Sequence, residues 1–183
     1  MVWAFIGAAV FLLLAALFIF NSLIRRKNDV ENAFASIDVM LRKRYDLIPQ
    51  IVEAVKAYMN YERELLTEIT GLRVRAMSQD LPAEDRVLAD NTLGARLSDL
   101  QVAVENYPEL KASSNFLHLQ GTLNETEEQL AASRRAFNAA VTAYNNSIEV
   151  FPSSIIALMM NYKKRTLFTF SEETRKDISA KPP

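Results

Sequence analysis

Residues 2–20 read VWAFIGAAVFLLLAALFIF, a run of apolar side chains interrupted by a single glycine, and the first charged side chain after it is Arg25. At the helical rise, about 20 residues cross the roughly 30 Å hydrocarbon core of a bilayer. A cleavable signal peptide carries a shorter apolar region, about 7–15 residues, behind a basic leader. Here no basic residue precedes the run, and no small-x-small site is followed by a mature start. The reading is a retained transmembrane anchor over about residues 1–24, with span ends at Val2 and Phe20. Arg25, Arg26 and Lys27 abut the exit of the span, and Arg42, Lys43 and Arg44 lie within reach of the same end. Basic flanks stay on the cytoplasmic side. The expected topology is single-pass, with a short N-terminus outside and the remainder in the cytoplasm.

Beyond the anchor, the rest of the 183 residues suits one ordinary domain. The balance of 21 basic against 22 acidic side chains, a net charge of -1, excludes the strong basic excess that phosphate recognition needs, so nucleic acid is not an expected partner. With no cysteine there is no disulfide, thiolate nucleophile, iron–sulfur cluster or thiolate zinc site. Only four glycines occur. That leaves little material for phosphate-cradling loops or hairpin turns and points to an all-α chain.

Along the chain, Leu23, Val30, Phe34, Ile37 and Leu41 fall three, four or seven apart, on one face of a helix leaving the membrane. Near Tyr45-Asp46-Leu47-Ile48-Pro49 that helix should weaken, because proline disfavours helical geometry before it and removes a donor. Either Asp46 caps a new helix there or the helix continues with a kink. Ile48, Ile51, Val52, Val55, Met59, Leu65, Leu66, Ile69 and Leu72 carry the pattern on, and Pro82 reads as the start of a third helix with Leu93, Leu97, Leu100, Val104 and Tyr107 inward. A fourth places Leu119, Leu123, Leu130, Phe137 and Tyr144 in alternation with Thr126, Ser133 and Ala140 along one seam, as in coiled-coil packing. The expected helices are about 25–45, 47–77, 83–107 and 115–150, forming one domain over about 25–150, with a tail over about 151–183. In the tail, Ile155, Ile156, Leu158, Met159, Met160 and Tyr162 precede Lys163, Lys164 and Arg165, then Leu167, Phe168 and Phe170, before a polar end.

Several of these stretches, taken together, resemble the LemA family of bacterial membrane-anchored helical proteins. The resemblance rests on Leu47-Ile48-Pro49 after Tyr45-Asp46, on Tyr107-Pro108-Glu109-Leu110-Lys111-Ala112, and on Asn115-Phe116-Leu117 with Leu119-Gln120. It continues through Thr126-Glu127, Arg134-Arg135, Tyr144-Asn145 and Phe151-Pro152-Ser153. Gly121, His118 and Ser154 depart from the pattern. The resemblance implies an N-terminal span in the bacterial inner membrane followed by a cytoplasmic antiparallel four-helix bundle of long helices, which favours a turn at Pro49. It supplies no reaction.

The residues themselves offer no catalytic, cofactor-binding or metal set, so the chain is not expected to be an enzyme and no cofactor is expected. His118 is the sole histidine and lacks partners for a multi-His site. Glu125, Glu127 and Glu128 with Arg134 and Arg135 read as salt-bridged helix surface, since no Glu-x-x-His pair accompanies them. Tyr144-Asn145 and Tyr107-Pro108 read as aromatic ends and backbone-satisfying amides rather than a pocket. Ser153 and Ser154 lack a nucleophile elbow. If the helices alternate in direction, the tail returns to the bilayer, where Ile155, Ile156, Lys163, Lys164 and Arg165 would meet lipid or a second subunit. The expected function is a self-associating homo-oligomeric scaffold at the inner membrane, with the lipid bilayer as partner. The alternative is an adaptor for a membrane protease or signalling protein.

Overall fold

The computed structural model describes residues 1–59 and 61–168, so Phe170 and the polar end lie outside the described residues. Among the described residues the chain is all-helical: α1 (Val2–Lys56), α2 (Arg63–Met77), α3 (Ala83–Val104), α4 (Pro108–Lys111), α5 (Ser114–Glu149) and α6 (Ser153–Met159). They form two compact units, one of Met1–Asp38 with Ala131–Pro183, the other of Val39–Leu130.

The start of α1 is the one stretch among the described residues that is long and apolar enough to cross a membrane, with a mean hydropathy of 2.7 and none of it buried against the chain. Burial begins at Leu23, 1% exposed, and returns at seven-residue steps with Val30 and Ile37. The apolar stretch and the helix that follows it are therefore one element rather than two. In the first unit Val30, Val141 and Tyr144 form a small core lined by Phe137, Ala140, Ile148 and Tyr162. Phe34 meets Phe137 with ring centroids 5.9 Å apart. Ala157 turns the inner face of α6 towards the protein.

The expected turn at Pro49 is corrected: α1 runs through Pro49, and the first break falls between Lys56 and Arg63, inside the helix expected over about 47–77. Pro49 cannot donate to the carbonyl four residues back, that of Tyr45. Arg73 of α2 supplies the missing donor, its Nε standing 2.6 Å from Tyr45 O. Proline in a helix interior costs about 3 kcal/mol or more, and a charged surrogate bond returns about 1.5–3 kcal/mol.

The second unit gathers its core from Tyr45, Ile48, Ile51 and Val55 of α1, Leu66, Ile69 and Leu72 of α2, Leu93, Leu97, Leu100 and Val104 of α3, Leu110 of α4, and Phe116, Leu119 and Leu123 of α5. Ile69 and Leu93 are fully buried, and each such side chain stabilises by about 1.5–3 kcal/mol. The third helix ends at Val104 rather than near Tyr107. The residue before a proline avoids helical geometry; Tyr107 sits at φ -123°, ψ 79°, and Pro108 opens α4, where its missing N–H leaves no bond unmade. The α4 turn drops Leu110 into the core, and the Tyr107 hydroxyl donates to Glu62 Oε2 at 2.6 Å.

Candidate functional site

In the second unit a charge cluster lies inside the protein. Arg44 is only 2% exposed, which corrects its place in the basic collar beside the span. Continuing the seven-residue steps of Leu23, Val30 and Ile37 lands on Arg44, so the seam that builds the core carries a guanidinium there. Asp90 sits one turn before Leu93 on the buried face of α3 and is 6% exposed. Arg44 Nη2 donates to Asp90 Oδ1. Its Nη1 donates to Glu127 Oε1 and Oε2 at 3.0 and 3.3 Å. The Tyr45 hydroxyl donates to the same Asp90 oxygen at 2.6 Å.

Burial opposes the charge on Arg44, but the facing Asp90 and Glu127 carboxylates more than offset it, and its pKa is raised. Burial, then the Asp90 carboxylate, push the Tyr45 phenol well above the ordinary tyrosine range. The cluster ties α1 to α3 through Asp90 and to α5 through Glu127. Glu127 thus pairs with Arg44, across helices. Among the described residues no group of three His, Cys, Asp or Glu side chains is placed to hold a metal ion.

In the first unit the chain after α6 is fastened along α5 by two side-chain amides. Asn145 accepts from the Arg165 N–H and donates to the Arg165 carbonyl, both at 2.9 Å. Asn138 does the same for Phe168, at 2.7 and 2.9 Å. Seven helical residues rise about 10.5 Å, and three residues of extended chain rise about 9–10 Å. The two clamps are therefore in register. Side chains add to the grip: Arg165 reaches Glu31 at 3.2 Å and lies over the Tyr144 ring, while Arg134 lies over Phe168 at 5.2 Å. The Tyr144 hydroxyl donates to the Lys163 carbonyl at 3.2 Å, and burial raises its pKa.

The residues singled out in the sequence divide between these places. Arg134, Tyr144, Asn145 and Arg165 meet at the clamped tail, where Lys164 also pairs with Glu149. Ile48 and Phe116 are buried in the second unit's core, Leu47 packs against it, and Tyr107 closes its end. Pro49 and Asn115 border a shallow groove of about 600 Å³ with Gln50, Glu53, Ala54, Ala57 and Leu119. Arg25, Arg26, Pro108, Leu117, Arg135, Phe151, Pro152, Ile155, Lys163 and Lys164 are exposed, whereas Lys27 and Ile156 are half-buried. Sequence reasoning missed Asp90 and Asn138. Asp90 lies on the Leu93–Leu97 seam, and Asn138 stands two turns from Asn145, so both signals were periodic.

Comparison with known proteins agrees with the motifs. The LemA family model matches residues 33–181. Protein LemA of Metamycoplasma hominis is 28% identical over 162 residues, which cover 86% of this chain and 72% of that protein. The magnetosome proteins MamQ 1 and MamQ 2 of Paramagnetospirillum magneticum are each 22% identical over 174 residues, spanning 81% of this chain and 64% of theirs. With the family model covering most of its length, the chain belongs to the LemA family.

Proposed function

We propose that this chain is a self-associating, non-enzymatic scaffold anchored in the bacterial inner membrane by residues 2–20, with its helical domain on the cytoplasmic side. The observation that carries the reading is the continuity of α1. The exposed apolar stretch and the first buried positions, Leu23 and Val30, belong to one uninterrupted helix. Such an attachment holds the domain at the bilayer by helical backbone instead of a flexible linker. Arg25 and Arg26 lie exposed just after the span, as a cytoplasmic exit requires.

An antiparallel four-helix arrangement of the second unit is part of the proposal. Its support is the pairing of Lys43 with Gln129 and of Arg44 with Glu127, while Pro49 to Ala57 lie beside Asn115 and Leu119. Self-association draws on exposed apolar side chains of that unit, Val74 and Leu88. A second reading, an adaptor receiving a partner helix, is favoured by the open groove lined by Pro49, Glu53, Ala54 and Leu119.

Mass measurement of the detergent-extracted full chain over a dilution series tests the first reading. Species larger than one chain that dissociate on dilution are expected; monomers at every concentration overturn it. Crosslinking in cells that recovers one stoichiometric partner instead of a second copy supports the adaptor.

A further inference from the structure

On α1 and α5 of the first unit, contacts run in opposite directions. Phe34 meets Phe137, and four residues back on α1, Val30 joins a core with Val141, four residues forward on α5. A further seven positions on each helix bring buried Leu23 level with Ile148, which packs at the edge of the same core. The next few deliver the turn at Val150 and Phe151 to the level of Phe20 to Ser22, the inner end of the apolar span. At that level the chain exposes apolar side chains in a helical stripe. Ile155, Leu158 and Met159 share one face of α6 at i, i+3 and i+4 and are 54%, 82% and 82% exposed, Phe151 in the turn before α6 is 76% exposed, and Ala157 faces inward. Exposed Lys163 and Lys164 follow directly, and Arg25 and Arg26 lie exposed on α1 just past the span.

We propose that α6 is a second membrane contact: Ile155, Leu158 and Met159, with Phe151 just before them, lie in the headgroup layer of an anionic bilayer, with Lys163 at the phosphates. This rests on the reading of residues 2–20 as a membrane span. Lipid is the occupant because the stripe is continuous in level with the span's end, and the neighbouring cations match an anionic leaflet. An interfacial helix sinks its apolar face about 5–10 Å, to the boundary of headgroup and acyl chain. The Asn138 and Asn145 clamps have a role in this arrangement, because they pin the chain beyond α6 to α5 and keep the basic residues next to the apolar stripe. The membrane then grips the unit at two points, which fixes the rotation of α1 about its own axis.

The cysteine-free chain permits a direct test. Single variants Leu158→Cys, Leu13→Cys and Val102→Cys of the full chain carry an environment-sensitive fluorophore in vesicles of phosphatidylcholine and phosphatidylglycerol. The label at position 158 is expected to shift to the blue and lose most of its emission when nitroxide-labelled lipid is included, whereas the label at 102 stays open to an aqueous quencher. A label at 158 as open to the aqueous quencher as that at 102 overturns the proposal. So does a blue-shifted label untouched by nitroxide lipid, because protein then covers the stripe. The label at 13 separates the two readings. Quenched there but not at 158, the span stands and the α6 contact falls; unquenched at 13, the span itself fails.

Discussion

Replacing Arg44 with methionine takes away the guanidinium that donates to Asp90, a carboxylate only 6% exposed. Breaking a buried ion pair by removing one partner costs about 3–5 kcal/mol, whereas replacing the whole group with apolar side chains is close to neutral or better. Glu127, whose side chain is 40% exposed, is rescued by water and adds little to the loss. Arg44→Met should therefore destabilise by about 3–5 kcal/mol. The triple variant Arg44→Met, Tyr45→Phe, Asp90→Leu strands no charge or hydroxyl in the cluster and should return to within about 1 kcal/mol of the parent. Urea unfolding of the detergent-solubilised full chain, followed by far-ultraviolet circular dichroism, reads both; the one tryptophan, Trp3, lies in the apolar stretch and does not report on this unit. With a slope of about 2 kcal/mol per molar, the single variant lowers the midpoint by roughly 1.5–2.5 M. If the triple variant is as unstable as Arg44→Met, packing rather than an unpaired charge carries the loss and the reasoning is refuted.

Three further outcomes follow from contacts elsewhere. Arg73→Met removes the donor to Tyr45 O and should cost about 1–3 kcal/mol; in a Pro49→Ala background, where residue 49 donates again, the cost should shrink by at least about 1 kcal/mol, and equal costs in both backgrounds would discount the surrogate bond. Asn145→Ala breaks both bonds to Arg165, worth about 0.5–1.5 kcal/mol each, so hydrogen exchange at the Arg165 amide should quicken roughly tenfold; unchanged protection would show that the clamp does not hold the tail. The Tyr45 phenol has a folded-state pKa above its unfolded value of about 10, so its contribution is intact below pH ~10 and is lost as pH rises through the higher folded value. Relative to the parent, Tyr45→Phe should therefore lose less stability above pH ~10, and parallel curves would contradict the assignment.

Much of the helical layout was legible because local rules govern it. The apolar run ending at Phe20 is nowhere buried against the chain, α3 begins right after Pro82, and α5 begins at Ser114 beside the expected start. What was not legible depended on partners distant in sequence. A proline at position 49 reads locally as a break, and only Arg73, brought close by folding, makes the uninterrupted helix tenable. Composition assigned Arg44 to the basic collar, although its seven-residue spacing from Val30 and Ile37 placed it on the buried seam; a complementary carboxylate at Asp90 resolves the conflict. The clamp was half visible: Tyr144-Asn145 stood out as a motif, but Asn138 gains meaning only once an extended chain lies along α5.

The most direct measurement is protease protection in spheroplasts of a bacterium expressing the full chain. With the bilayer intact, the helical domain should survive added protease, and it should be cut once detergent opens the membrane. Digestion of that domain in intact spheroplasts would contradict an anchor at residues 2–20 with its basic flank, and the domain behind it, on the cytoplasmic side.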